Sequence, residues 1–158
     1  MRKLFLCLSI LMSAVSLLSA MPKAEVGFGA SSLDQVTVGG MQVGQGGFFF
    51  RLNQPINQYD FGLTFTNAGN ATSAVFGGNV WILNHWDEQK MLKYGPGLWW
   101  SSIAGTTAFE IQGQIGVEYN PLRDLGIEGV LVPLRIGFGP SSTALQFLST
   151  RVSLVYYM

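Results

Sequence analysis

Residues that could carry out chemistry are few and scattered in this 158-residue chain. Its one histidine, His85, stands beside Trp86, Asp87 and Glu88, and its one cysteine, Cys7, lies near the start. A histidine acts as a general base only within hydrogen-bond reach of the group it deprotonates. The serines that could serve as nucleophiles, Ser101, Ser102, Ser141 and Ser142, fall in other segments. His85, Asp87 and Glu88 put three metal-type ligands into one turn without a second cluster to complete a coordination sphere. Gly27 and Gly29 match no phosphate loop, because no helix follows them. No catalytic, cofactor-binding or metal-ligating residue is therefore expected. What does recur is ionised side chains at alternate positions of apolar segments: Glu25, Arg51, Asp60, Lys93, Glu110, Glu118, Arg135 and Arg151.

Residues 107–120 show what positions such groups. Successive side chains of a strand point to opposite faces. Phe109, Ile111, Gly113, Ile115, Val117 and Tyr119 make one face; Ala108, Glu110, Gln112, Gln114, Gly116 and Glu118 make the other. In a water-soluble barrel the charged face lies outside. In an outer-membrane barrel the apolar face meets lipid and the polar one fills the bore.

Composition bears on that choice. Residues 1–20 read as a signal peptide: Arg2 and Lys3, an apolar run, then Ser19-Ala20 as a small-residue cleavage point. Residues 21–158 form one domain without a cysteine, so with neither a disulfide nor a thiol nucleophile. That domain holds seven basic against nine acidic residues, with no basic patch for nucleic acid. Only 11% of the chain is charged, where soluble domains carry about 25%.

No segment after the leader has a helical period, and the alternation predicts eight strands: 25–32, 46–53, 58–66, 73–83, 90–100, 107–120, 125–138 and 145–158. The longest loop is expected over 33–45, with Val36 and Val38 able to extend a strand into it, and it is the best candidate contact region. Other loops on that side fall at 67–72, 101–106 and 139–144. Pro96 and Pro133 lie inside strands of a closed sheet, which has no edge to hide a missing N–H. A β-bulge is the expected escape, and one at Pro133 would also turn Glu128 inward.

Strands of this length in an even number match the outer-membrane pattern. Tyr59, Trp86, Tyr119 and Tyr156 gather near the tight turns and Trp99 and Trp100 at the other end, as an aromatic belt would. The eight alternating charges then point inward, four acids and four bases. Register places Arg51 beside Glu25 and Asp60, and Arg135 beside Glu110. Buried charges persist when paired, and inward glycines at 27, 29, 47, 62, 77, 116 and 137 leave them room.

In these features the chain resembles the small OmpA/OmpX-type eight-stranded outer-membrane barrels. The resemblance is one of architecture, covers residues 21–158 and includes no family-specific motif. It implies an all-β, antiparallel up-and-down transmembrane barrel in the bacterial outer membrane. The implied partners are membrane lipids and, during biogenesis, the outer-membrane assembly machinery. Val152, Leu154 and Tyr156 keep the alternation of the terminal strand such proteins carry, with Met158 where phenylalanine is usual. A monomer with a structural or surface-interaction role, a bore filled by paired charges and no catalysis is expected. A soluble periplasmic lipocalin-like barrel for a lipophilic ligand is the alternative, with the apolar face lining a cavity. A lipid A-modifying enzyme is a more distant one, since it needs a histidine constellation at the outer rim.

Overall fold

The computed structural model describes residues 25–38, 41–68, 71–103 and 106–158; residues 1–20, expected to be a signal peptide, lie outside them. Eight strands follow in chain order: β1 (Glu25–Val38), β2 (Met41–Asn53), β3 (Asn57–Ala68), β4 (Ala71–His85), β5 (Lys90–Ile103), β6 (Thr106–Leu122), β7 (Leu125–Phe138) and β8 (Thr143–Tyr157). Each pairs antiparallel with its sequence neighbour, and β8 pairs with β1 to close a barrel.

The two faces separate as the alternation requires. Phe61, Ile111 and Leu154 point outward with 57%, 47% and 52% of their surface exposed, whereas Asp60 and Glu110 are fully buried. Trp100, Phe109 and Phe138 form an outward aromatic row across β5, β6 and β7, with ring centroids 5.6 and 4.7 Å apart. Tyr119, Tyr156 and Trp86 are exposed near the tight turns, and Tyr59 is half-buried there. Trp99 does not belong to this belt. It points into the bore and is fully buried, because it lies between the outward Leu98 and Trp100.

The two prolines are accommodated differently. Opposite Gln114, β7 carries one extra residue at Val132-Pro133, which restores the inward phase for Arg135 and leaves Glu128 inside. Leu148 faces that bulge on β8 at φ 56°, so β8 changes phase at the same level and β7–β8 keep register. Around Pro96 there is no bulge. β4 and β5 hold one register on either side, and the ladder is interrupted between Asn79/Gly97 and Ile82/Tyr94.

The expected loop over 33–45 is instead a long β1–β2 hairpin. A shift between Ser31 and Asp34 and a positive φ of 71° at Gly47 turn it out of the wall. Pairing of β1 with β8 stops at Ser31/Ser153, and that of β2 with β3 at Phe48/Leu63. Beyond those points the hairpin folds across the mouth, bringing β2 within 8 Å of β4, β5 and β6. Met41 and Val43 are buried with Val75, Trp99 and Ala108, and Val38 packs on Gly137 and Gly139. The other expected loops shorten as well: strands run to Ala68 and from Ala71, to Ile103 and from Thr106, and from Thr143.

Several inward glycines make room for rings rather than for charges. A Cβ at Gly29 would sit 2.3 Å from Phe49 Cζ, and one at Gly62 would sit 2.6 Å from Trp99 Cη2. Gly62→Ala should therefore destabilise the barrel by about 1–3 kcal/mol through overpacking. The measurement is the urea midpoint of the compact species in detergent micelles. Gly113→Ala is the control, since nothing lies within 4 Å of the added methyl; a change there should stay within about 0.5 kcal/mol.

Candidate functional site: the ionised bore

The polar interior is built on cross-strand pairs. Arg51 on β2 lies opposite Asp60 on β3, and Glu118 on β6 lies opposite Glu128 on β7. Two carboxylates facing each other across a ladder repel, so the second pair requires cations. Arg51 and Lys93 supply them. Arg51 holds Asp60 with two bonds, Nε–Oδ1 at 2.6 Å and Nη2–Oδ2 at 3.0 Å, and reaches Glu118 at 2.9 Å and Glu128 at 2.5 Å. Lys93 donates to Gln58 at 2.8 Å, to Glu118 Oε2 at 2.9 Å and to Glu128 Oε2.

Aromatic residues enclose this cluster. Trp81 donates its indole N–H to Asp60 at 2.7 Å, and Tyr157 donates its hydroxyl to Glu118. The Arg51 guanidinium stands 5.0 Å from the Phe49 ring centre and the Lys93 ammonium 4.9 Å from that of Trp81, within cation–π range. Arg151 completes the charge balance, donating to Gln114 at 2.8 Å with Glu128 3.9 Å away. Three cations then face three carboxylates, all with fully buried side chains.

A second group sits nearer the mouth. Arg135 donates to Asp34 and, at 2.7 Å, to Ser149, and lies 3.8 Å from Glu110. Between the groups, Asn79 accepts from Gln114 at 2.6 Å and from Trp99 at 3.3 Å.

Of the eight expected interior charges, seven are inside: Arg51, Asp60, Lys93, Glu110, Glu118, Arg135 and Arg151. Glu25 is not. It is exposed at the turn end, where it is opposite Asn53 and accepts from that amide at 3.5 Å, because Arg51 is in register with Gly27. Asp34 takes a place inside that the sequence reading gave to a loop. It lies beyond the shift after Ser31, where counting by twos from Glu25 no longer holds. Phe49, Trp81 and Tyr157 were legible from the alternation alone, since each lies between two outward neighbours.

His85 donates from Nε2 to the Pro55 carbonyl at 3.3 Å and stands at the turn end, opposite Met91. Ser101 lies ten residues further along β5, roughly 30 Å away at strand rise, so the two cannot form a base–nucleophile pair. Among the described residues no three histidine, cysteine, aspartate or glutamate side chains gather as a metal site.

Two substitutions probe this architecture. Arg51→Ala strands three buried carboxylates around Lys93 and should cost roughly 3–5 kcal/mol, whereas Arg151→Ala, with one short charged hydrogen bond, should cost about 1–3 kcal/mol. Urea midpoints in detergent test the order, and equal midpoints for Arg51→Ala and the parent would refute it. In the exposed turn, the Asp87 carboxylate accepts from the N–H groups of Gln89 and Lys90 at 2.8 and 2.7 Å. The Gln89 bond chiefly holds that carboxyl below its ordinary range. A depressed folded value means the contribution is present above the ordinary carboxyl pKa and is lost as pH falls through the depressed one. Asp87→Asn should thus lower the midpoint slightly at neutral pH and match the parent in strong acid.

No family model matches the chain, and no curated protein matches it. Among solved structures, it is similar to the Yersinia pestis outer membrane protein Ail, whose backbone structure was determined in a phospholipid bilayer nanodisc. The TM-score is 0.53 at 10% identity, over 87% of this chain and 100% of that one. The fold is thus all-β: a closed, eight-stranded antiparallel barrel similar to that of an outer-membrane protein.

Proposed function

We propose that this chain is an integral barrel of a bacterial outer membrane with a structural role and no catalysis. Export would depend on cleavage of residues 1–20, and assembly on the outer-membrane insertion machinery. Its partners are the lipids around it, and it works as a monomer. The observation that carries the proposal is the inversion of the wall. Large apolar side chains stand exposed on every strand, from Phe28 on β1 through Phe61, Ile82, Leu98, Ile115 and Ile127 to Val152 on β8. Soluble monomers rarely expose contiguous apolar patches beyond a few hundred Å², and this one encircles the molecule. Lipid chains are the solvent that suits it.

A lipocalin-like reading needs Phe61, Ile111 and Leu154 around a cavity, and they are outside. A structural role fits the short connections better than surface recognition does. A bore packed with Trp81, Trp99 and paired charges is a filled core rather than a conduit.

Cell fractionation tests the proposal. The chain should remain with the membrane pellet until detergent extracts it, and should migrate differently on a gel before and after boiling. Recovery in the soluble periplasmic fraction would refute the membrane reading.

A further inference from the structure

The hairpin that leaves the wall opens the outer surface beside it. Above Ser31/Ser153 no pairing joins β1 to β8, and above Phe48/Leu63 none joins β2 to β3 among the described residues. Where β2 turns inward, a hollow of about 910 Å³ opens in the outer surface. Phe28, Phe48, Phe61, Leu63 and Phe65 form its sides, and Thr64 is at its floor. The floor is settled: the Thr64 hydroxyl donates to the Gly46 carbonyl, and Gly47 at φ 71° turns the chain inward beside it. The hollow is a built feature of the hairpin's exit, held by a hydrogen bond and a residue suited to the left-handed region.

We infer that this hollow binds one acyl chain of a bilayer lipid, lying along β3 in the gap the hairpin vacates. The inference rests on the membrane reading above. Three observations select a chain over other occupants. The sides are hydrocarbon and aromatic, the Thr64 hydroxyl at the floor is already engaged, and the Ser31 hydroxyl on the β1 side is buried in the inward phase of its strand. The outward positions 61, 63 and 65 on β3 run for about 13 Å at strand rise. With the strand tilt of such barrels, that groove broadly follows the direction of lipid chains. A second copy of this barrel would present a convex wall, which cannot follow a recess, whereas a thread-like chain can.

The test uses the full barrel reconstituted in vesicles of phosphatidylethanolamine and phosphatidylglycerol. These carry a phospholipid with a photoreactive diazirine in its acyl chain, and adducts are mapped by peptide mass spectrometry. Adducts on residues 46–50 and 61–65 should exceed those on 109–117, on the opposite wall, at least threefold. Phe48→Ala combined with Phe65→Ala, which removes two of the outward rings that form the hollow's sides, should bring them down to the opposite-wall level while the heat-modifiable species persists. Even labelling around the wild-type barrel would overturn the inference and leave the membrane reading intact. Dimers in native mass spectrometry, with 46–50 protected from label, would also overturn it, in favour of a second copy. No labelling anywhere, with the chain outside the vesicle fraction, would overturn the membrane reading and this inference with it.

Discussion

Glu118 facing Glu128 across β6 and β7 is the constraint on which the interior depends. Two carboxylates opposite one another on neighbouring strands, both fully buried, repel at short range. Arg51 and Lys93 each reach both, from β2 and β5, so that two cations sit between two anions. Arg51 also holds Asp60, Trp81 donates to Asp60 and Tyr157 to Glu118, while Glu128 Oε1 has the Arg151 guanidinium 3.9 Å away. The result ties β2, β3, β4, β5, β6, β7 and β8 together through side chains, across a barrel whose backbone ladder joins only neighbours. Such a network is specific more than it is stabilising, because desolvation of each ion offsets much of the attraction. Its use is to allow one closure: a strand slipped by one residue would turn its ionised group out into the apolar surroundings.

That dependence explains why the fold was legible in the sequence. Alternation is unambiguous where one face must be apolar and the other ionised, and residues 107–120 keep it without interruption. The closed eight-stranded topology and seven of the eight interior charges follow from counting by twos. The count fails where the backbone adds a residue. Asp34 lies past the shift after Ser31, and Glu128 comes inside only through the bulge at Pro133. Pro133 announces its bulge chemically, since it lacks an N–H. The shift near Ser31 has no such residue to mark it, so counting by twos does not carry Asp34 inward. Pro96 shows that proline alone does not decide the matter, because there the ladder is interrupted and the register holds.

The errors at Glu25 and Trp99 have different causes. Glu25 obeys the inward phase but begins β1 at the turn end, where an inward direction leads to the open rim. Phase gives the face of a residue and not its depth. Trp99 suits a belt by residue type, as an amphipathic ring near a strand end, but not by phase. The structure follows phase: the indole lies over Gly62 and its N–H meets Asn79. Where residue type and alternation disagree in this barrel, alternation is obeyed, and glycine on the facing strand supplies the volume.

The hairpin at residues 31–47 belongs to a different physical regime. The lower barrel centres on the charge network with Trp81, Leu83, Met91, Val130 and Val132 packed beside it, whereas the mouth is closed by the apolar cluster Met41, Val43, Val75, Trp99 and Ala108. An apolar lid over an ionised core is consistent with the asymmetry of the wall. Burying the hairpin's apolar side chains on the axis side leaves two strand edges without their usual partners, so closure at the mouth is traded against continuity of the sheet. Pairing and packing conflict at this one place. The residues that resolve it, Gly47 in the left-handed region and Thr64 on the Gly46 carbonyl, lie at the boundary between the two regimes. The wall is therefore least regular where the bore is most tightly capped, and the hollow beside β2 follows from the way the interior is sealed.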